Sequence, residues 1–131
     1  MASRDLYNTI KSTQSMAPAA RTATANGTGV DLKGYHSAVA IIEVGARTDG
    51  THTFELQESD DNSTFTAVAD ADLQGTEPAV AASGDQNKVY ELGYLGKKRY
   101  LRVKVTVSGA TSGAVYGATI VTGTPAKAPT H

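Results

Sequence analysis

The sequence has no cysteine, no tryptophan, only two phenylalanines and four prolines in 131 residues. Without cysteine there is no disulfide framework, no thiol chemistry and no cysteine-ligated zinc. No stretch approaches the length of apolar chain that a transmembrane helix needs, so no membrane partner is expected. Residues 1–20 lack the apolar core of a secretory signal, so the expectation is a soluble chain made in a cytoplasm. Large apolar groups are also scarce. Leu, Ile, Val and Phe together number 24, against 20 Ala, 17 Thr and 13 Gly. Such scarcity accompanies disorder when the net charge is high, but here the net charge is −1 and the apolar residues recur periodically. This length has room for one domain and one core. The expectation is a folded domain with a lean core that draws further stability from neighbouring subunits.

The small net charge conceals an uneven distribution. Residues 1–34 carry +2, residues 35–93 carry −9, and residues 94–131 carry +6 with no acidic group. Two explanations stand side by side. Opposite faces of opposite sign would order subunits around one another. Alternatively, the basic strand lies beside acidic ones in one sheet and the charges neutralise.

Along the chain the signal is almost wholly β. The first twenty residues stand apart: Leu6 and Ile10 are four apart around Tyr7, the spacing of one or two turns of amphipathic helix, and Pro18 breaks any continuation. They read as an N-terminal arm ordered by docking. From Arg21 weak alternation begins, followed by a turn at Asn26–Gly29. Tyr35 to Gly45 is a strong strand with Ala38, Ala40, Ile42 and Val44 on one face and Val39 and Ile41 on the other, the pattern of a central or doubly covered strand. His52, Phe54, Leu56 and Glu58 alternate with polar residues. Phe65 marks the next core position, and Val89 and Leu92 are expected inward from Lys88–Tyr94. Leu101, Val103, Val105 and Val107 alternate strictly with Tyr100, Arg102, Lys104 and Thr106. Gly109–Gly113 then reads as a turn returning Ala114–Val121 as a hairpin partner. Seven or eight short strands with regularly spaced turns predict an all-β fold, a single β-sandwich of jelly-roll or immunoglobulin-like type. The expected organisation is an arm at 1–20, a sandwich at 21–122 and an extended tail at 123–131.

Motifs for catalysis are missing. Gly27-Thr28-Gly29 has no third glycine and no helix after it, and Gly96-Lys97 lacks the upstream glycine and hydroxyl residue of a phosphate loop. There is no G-x-S-x-G elbow. His36, His52 and His131 do not have metal-ligand spacing, and Glu58, Asp60 and Asp61 lack a calcium-loop pattern. That acidic segment reads as a turn in which Asp60 or Asn62 bonds its own backbone. The expectation is a non-enzyme without cofactor or metal. Lys97, Lys98, Arg99, Arg102 and Lys104, interleaved with Tyr94 and Tyr100, form a basic stretch. Single-stranded nucleic-acid binders combine such groups, but a sequence pI near 6.3 and the acidic middle argue against nucleic acid. A protein interface with Tyr and Arg anchors fits better.

Four segments, in order, carry a resemblance: Asp5-Leu6-Tyr7-Asn8, the run from Thr22 to Leu32, the run from Leu56 to Phe65, and the run from Gly93 to Val103. Together they resemble head decoration (cement) proteins encoded beside the major capsid protein of tailed phages. The resemblance implies a homo-dimer or homo-trimer on the outer surface of the capsid, clamping major capsid protein subunits, with no catalytic residues to carry over. On that reading Leu6, Tyr7 and Ile10 are docking or subunit-crossing contacts, and Tyr94, Lys97, Lys98, Arg99, Tyr100 and Arg102 face a partner surface. The alternative is a carbohydrate- or host-surface-binding module of the virion, against which the lack of tryptophan counts.

Overall fold

The periodic segments resolve into eleven strands and three short 3-10 turns in a computed structural model that describes residues 2–131. In chain order the strands are β1 (Lys11–Arg21), β2 (Ala25–Asn26), β3 (Val30–Asp31), β4 (Tyr35–Arg47), β5 (Thr51–Ser59) and β6 (Thr66–Ala67). They continue with β7 (Leu73–Gln74), β8 (Ala79–Val80), β9 (Lys88–Tyr94), β10 (Tyr100–Ser108) and β11 (Ala114–Pro125). One sheet has the order β1-β11-β4-β9-β7, the other β2-β10-β5-β6, with β3 also along β10 and β8 along β5. Every pairing is antiparallel. The expected β-sandwich is therefore the fold. The strand number exceeds the expected seven or eight because β1 lies in the segment read as arm, and β3, β7 and β8 are two-residue fragments in segments that read as connections or loops.

The core lies between the sheets. Ala40, Ile42 and Val44 of β4 meet Phe54 and Leu56 of β5 and Leu101, Val103 and Val105 of β10 across the gap, joined by Leu92, Tyr116 and Ile120. Its centre is aromatic. Tyr116 packs edge-on against Phe54, with ring centroids 4.9 Å apart, and against His52 at 5.3 Å. The Tyr116 hydroxyl and His52 Nδ1 are 2.8 Å apart, and His52 Nε2 lies 3.1 Å from the Asp49 carbonyl oxygen. A carbonyl can only accept, so Nε2 carries the proton and Nδ1 accepts from the tyrosine. Burial pushes the Tyr116 phenol up to about 12, with the Arg21 charge acting in the opposite direction. Both sheets are thus tied by a satisfied polar bridge inside an apolar core.

Several expectations change. Residues 11–20 are not arm but, with Arg21, form β1, an edge strand paired with β11 from Lys11 opposite Thr122 to Arg21 opposite Ala114. Met1, the first residue of the expected arm, lies outside the described residues. The helical spacing of Leu6 and Ile10 yields one 3-10 turn, Tyr7–Thr9, with Ile10 already extended. β1 escapes a periodicity reading because ten of its eleven side chains are small, polar or charged, and only Ser15 and Met16 are buried. Those two are adjacent because the register slips between Gln14 and Met16, a bulge that turns both inward. The Ser15 hydroxyl accepts from the Val103 N–H at 3.1 Å and donates to the Thr28 carbonyl at 2.9 Å, stitching β1 to the opposite sheet. Gly27 permits this approach, since a Cβ there would stand 2.6 Å from both Ser15 Oγ and the Val103 carbonyl.

The expected β10–β11 hairpin is also absent: β10 pairs with β5 and β11 with β1 and β4. The Gly109–Gly113 turn crosses from one sheet to the other. The Asp49 carboxylate holds it, accepting from the N–H groups of Thr111, Ser112 and Gly113 at 3.0, 3.1 and 2.7 Å. Gly113 has φ +76°, and a side chain there would run into the Arg21 carbonyl. Phe65 is half-exposed on the outer face under Arg102, and Val68 is the buried residue of that segment. Leu92 is buried as expected, but Val89 is 59% exposed: the two have opposite parity on β9, and it is Tyr94 that shares the inward face with Leu92.

Acid should weaken this fold. Asp31 is held down at about 2, first by hydrogen bonds from the Arg99 guanidinium, and Asp49, Asp61 and Asp85 are lowered chiefly by backbone N–H donors. A carboxyl whose folded pKa lies below its unfolded value, about 4, stabilises above that value and loses its contribution as pH falls through the folded one. Glu77 acts the other way, since burial raises it, but it stands alone among these carboxyls. The urea midpoint should therefore be level above about pH 5 and fall between about pH 4 and 2. Asp31→Asn should flatten part of that slope, and an unchanged slope would refute the assignment.

Candidate functional site

The basic stretch expected as one surface is divided by the fold. Tyr94 is only 6% exposed. Its hydroxyl donates to a Glu58 carboxylate oxygen at 2.7 Å and accepts from the Lys98 N–H at 3.0 Å. Burial and the Glu58 bond push its phenol far up. Tyr94 is thus a structural strut and not a contact residue, a correction that follows from its sharing an inward parity with Leu92. Tyr100 and Arg102 lie on the outer face of the six-stranded sheet. Arg102 Nε donates to Gln57 Oε1 at 2.8 Å, and its guanidinium sits 4.0 Å over the Phe65 ring. Lys104 faces Glu55 across the β10–β5 ladder. On that face Lys104 and Glu55 make one basic–acidic cross-strand pair, while Arg102 is held by a neutral glutamine and an aromatic ring.

The remaining cations gather elsewhere. Lys97, Lys98 and Arg99 meet Lys33, Tyr35 and His36 around an open groove of about 660 Å³. Lys98 pairs with Asp60 at 2.7 Å and Arg99 with Asp31 at 2.8 Å, all four side chains remaining substantially exposed. Lys33 and Lys97 form no ion pair among the described residues. Sequence reasoning missed Lys33 and His36 because the chain returns to Lys97 only after some sixty residues, and no local pattern links them. Glu58, Asp60 and Asp72 line a second recess together with Lys97 and Lys98 of the Leu95–Lys98 loop. The acidic turn beside it is held by Asp61, not by Asp60 or Asn62: Asp61 Oδ1 accepts from the Ser59 hydroxyl and from the N–H groups of Ser63 and Thr64, all at 2.9 Å.

The arm residues take a third position. Leu6 and Tyr7 are 63% and 65% exposed, and Ile10 is half-buried near Gly123. The C-terminal tail folds back on them. Tyr7 stacks on His131 with centroids 3.8 Å apart, and the Thr130 N–H donates to the Asn8 carbonyl at 3.0 Å. The expected extended tail at 123–131 therefore begins as the end of β11, through Pro125, and finishes as a clasp on residues 7–10.

The outer face of the five-stranded sheet was not singled out from sequence. Its rows follow from the registers. Val39 lies between Val121 and Gly93, Ile41 between Thr119 and Glu91, and Glu43 between Gly117 and Val89. Val115, 42% exposed, extends the patch, and a groove of about 290 Å³ opens there between Pro18, Ile41 and Val115. Glu43 and Glu91 are the only charges in these rows. No group of three or more His, Cys, Asp or Glu converges as a metal site among the described residues. His36 and His52 lie on strands of different sheets. No family model matches the chain, and no curated protein matches it.

Proposed function

We propose that this chain is a structural protein that docks on other protein subunits, and that its place is the outer surface of a tailed-phage head, where it cements major capsid protein subunits. The observation that carries the docking role is the valine- and isoleucine-bearing outer face of the five-stranded sheet. The solvent face of an antiparallel sheet ordinarily alternates to polar residues. Here Val39, Ile41, Val89, Val115 and Val121 occupy those positions, among glycines and with two acidic residues. Apolar patches of this kind mark interaction surfaces. The total exposed area, 7,361 Å², also exceeds the roughly 6,500 Å² expected for a monomer of this mass. The phage-head assignment is supported by the four segments that resemble decoration proteins. A homo-dimer or homo-trimer on a lattice junction would multiply modest contacts into firm attachment.

The test adds purified protein to undecorated tailed-phage heads and measures saturable binding and the rupture temperature. Ile41→Lys places a cation opposite Glu91, so the free protein should keep its melting midpoint. Its binding to heads should weaken about tenfold or more. Undiminished binding would remove this face from the interface, and failure of the native protein to bind heads would end the phage-head reading.

A further inference from the structure

We infer that the groove between Tyr35–Ser37 and Leu95–Lys98 receives an extended, acidic segment of a partner protein, which adds to the five-stranded sheet as a short strand. The inference names a partner feature within the docking role and rests on that role. Its first support is a vacant strand position. On one side of β4, Tyr35 and Ser37 pair with Pro125 and Gly123 of β11. On the other side, pairing with β9 starts only at Ala38, opposite Tyr94. Beyond Tyr94 the chain is drawn away: the Leu95 N–H donates to the Asp72 carbonyl at 2.7 Å, and the Lys98 N–H to the Tyr94 hydroxyl. The edge of β4 at residues 35–37 therefore has no strand beside it among the described residues, although the Tyr35 N–H is already donated to the Leu32 carbonyl at 3.1 Å, which leaves Ser37 as the main open position. An exposed edge of this kind is the template for strand addition, in which main-chain bonds supply affinity and side chains supply selectivity.

The second support is charge. Lys33, His36, Lys97, Lys98 and Arg99 line the groove, and no acidic residue does. Asp31 and Asp60, the partners of Arg99 and Lys98, stand outside the lining. A strand laid along β4 would thus pass between Lys33 and Lys97, which form no ion pair among the described residues, with no carboxylate in the groove lining, which selects Asp and Glu at its alternating positions. Leu95, 57% exposed at the rim, offers an apolar contact to a residue between them. A second copy of this chain is a poor occupant. Its acidic residues at 58–61 and 70–72 are fixed in β5, the turn after it and a 3-10 turn, and its terminal segments supply one acidic residue, Asp5, already bonded to Asn8, beside the cations Arg4 and Lys127. A polynucleotide would also meet Glu58, Asp60 and Asp72, which line the neighbouring recess shared with Lys97 and Lys98.

Fluorescence anisotropy with a labelled peptide of about eight residues, alternating Asp with Thr and Val, tests the inference. The native protein should bind it saturably and bind a Lys-for-Asp version far more weakly. Added salt should loosen the complex. Amide resonances of His36 and Ser37 should shift on titration. The double substitution Lys33→Glu with Lys97→Glu, on exposed loops, should leave the melting midpoint in place and weaken the peptide about tenfold. The inference falls if the acidic peptide does not bind, or if the double variant binds it undiminished. It falls equally if polyglutamate or a single-stranded oligonucleotide binds as well as the alternating peptide. Sedimentation that shows native self-association abolished by the double variant would assign the groove to a second copy and overturn it. Head binding measured alongside separates the two readings. Lost peptide binding with intact head binding removes only this inference, whereas peptide binding without head binding removes only the phage-head assignment.

Discussion

Phe54→Ala should cost about 3–5 kcal/mol of folding stability, a large part of the roughly 5–15 kcal/mol that such domains possess. Phe54 is one of two phenylalanines in the chain and is buried against Tyr116 between the sheets. The space it leaves cannot close easily. β5 is fixed on one side by its ladder to β10, with Phe54 opposite Val105. On the other side the Phe54 N–H donates to the Pro78 carbonyl at 3.0 Å, and the Leu56 N–H to a Glu77 carboxylate oxygen at 2.7 Å. A cavity that cannot relax takes the upper part of the range. For a chain of this size the melting midpoint should fall by roughly 10–25 °C. Phe65→Ala is the matched control. Phe65 is half-exposed and its main partner is the Arg102 guanidinium, so its loss should cost less than about 1 kcal/mol. Urea unfolding of the two variants decides the matter, and equal losses would place Phe65 in the core after all.

Removing residues 1–21 should abolish the folded state, while removing residues 1–10 should leave it standing. The longer deletion takes away all of β1. It uncovers the whole edge of β11, withdraws the buried Met16, and breaks the Ser15 stitch to Val103 and Thr28. Truncating one buried Met to alanine already costs about 2–5 kcal/mol, and here a ladder is lost with it. A bare β11 edge would also pair with other chains. The shorter deletion loses the 3-10 turn and the clasp with Thr130 and His131, which are exposed contacts. Size-exclusion chromatography with thermal melts checks both. A monomeric, cooperatively melting 22–131 fragment would show that β1 is dispensable. The same pair of deletions decides how the docking role of Leu6, Tyr7 and Ile10 is measured. Only the 1–10 deletion removes Leu6 and Tyr7 without dismantling a sheet.

The parts of the fold legible in sequence are those where one face is wet and the other buried. β10 is the clearest, since Leu101, Val103 and Val105 alternate with Tyr100, Arg102 and Lys104 and the register to β5 places them as expected. The first half of β5 follows the same rule, whereas β4, apolar on both faces, was legible as a central strand, which is its place in the five-stranded sheet. β1 was illegible because an edge strand bonded on one side holds its place through backbone and one buried methionine. The sheet membership of β11 was illegible because a five-residue turn has the same composition whether it closes a hairpin or crosses a sandwich. Asp49, which fixes the crossing, lies some sixty residues away in sequence. For the binding surfaces, the basic residues at 97–99 were visible locally, but their grouping with Lys33 and His36 is a product of tertiary structure. Tyr94 was misplaced because tyrosine serves equally in a core and on a rim; the parity of Leu92 is the signal that separates the two.

None of the six long strands pairs with the long strand next to it in sequence. The five-stranded sheet instead sets Lys11 beside Thr122, near opposite ends of the chain. Loop-closure entropy for such pairings must be met before their contacts give anything back, so assembly is slow relative to a sheet of hairpins. During synthesis β1 and β4 must wait, apart and unpaired along their shared neighbour's place, until β11 has left the ribosome and been laid between them. Of the strands in this sandwich, the last to be made is the one that closes it.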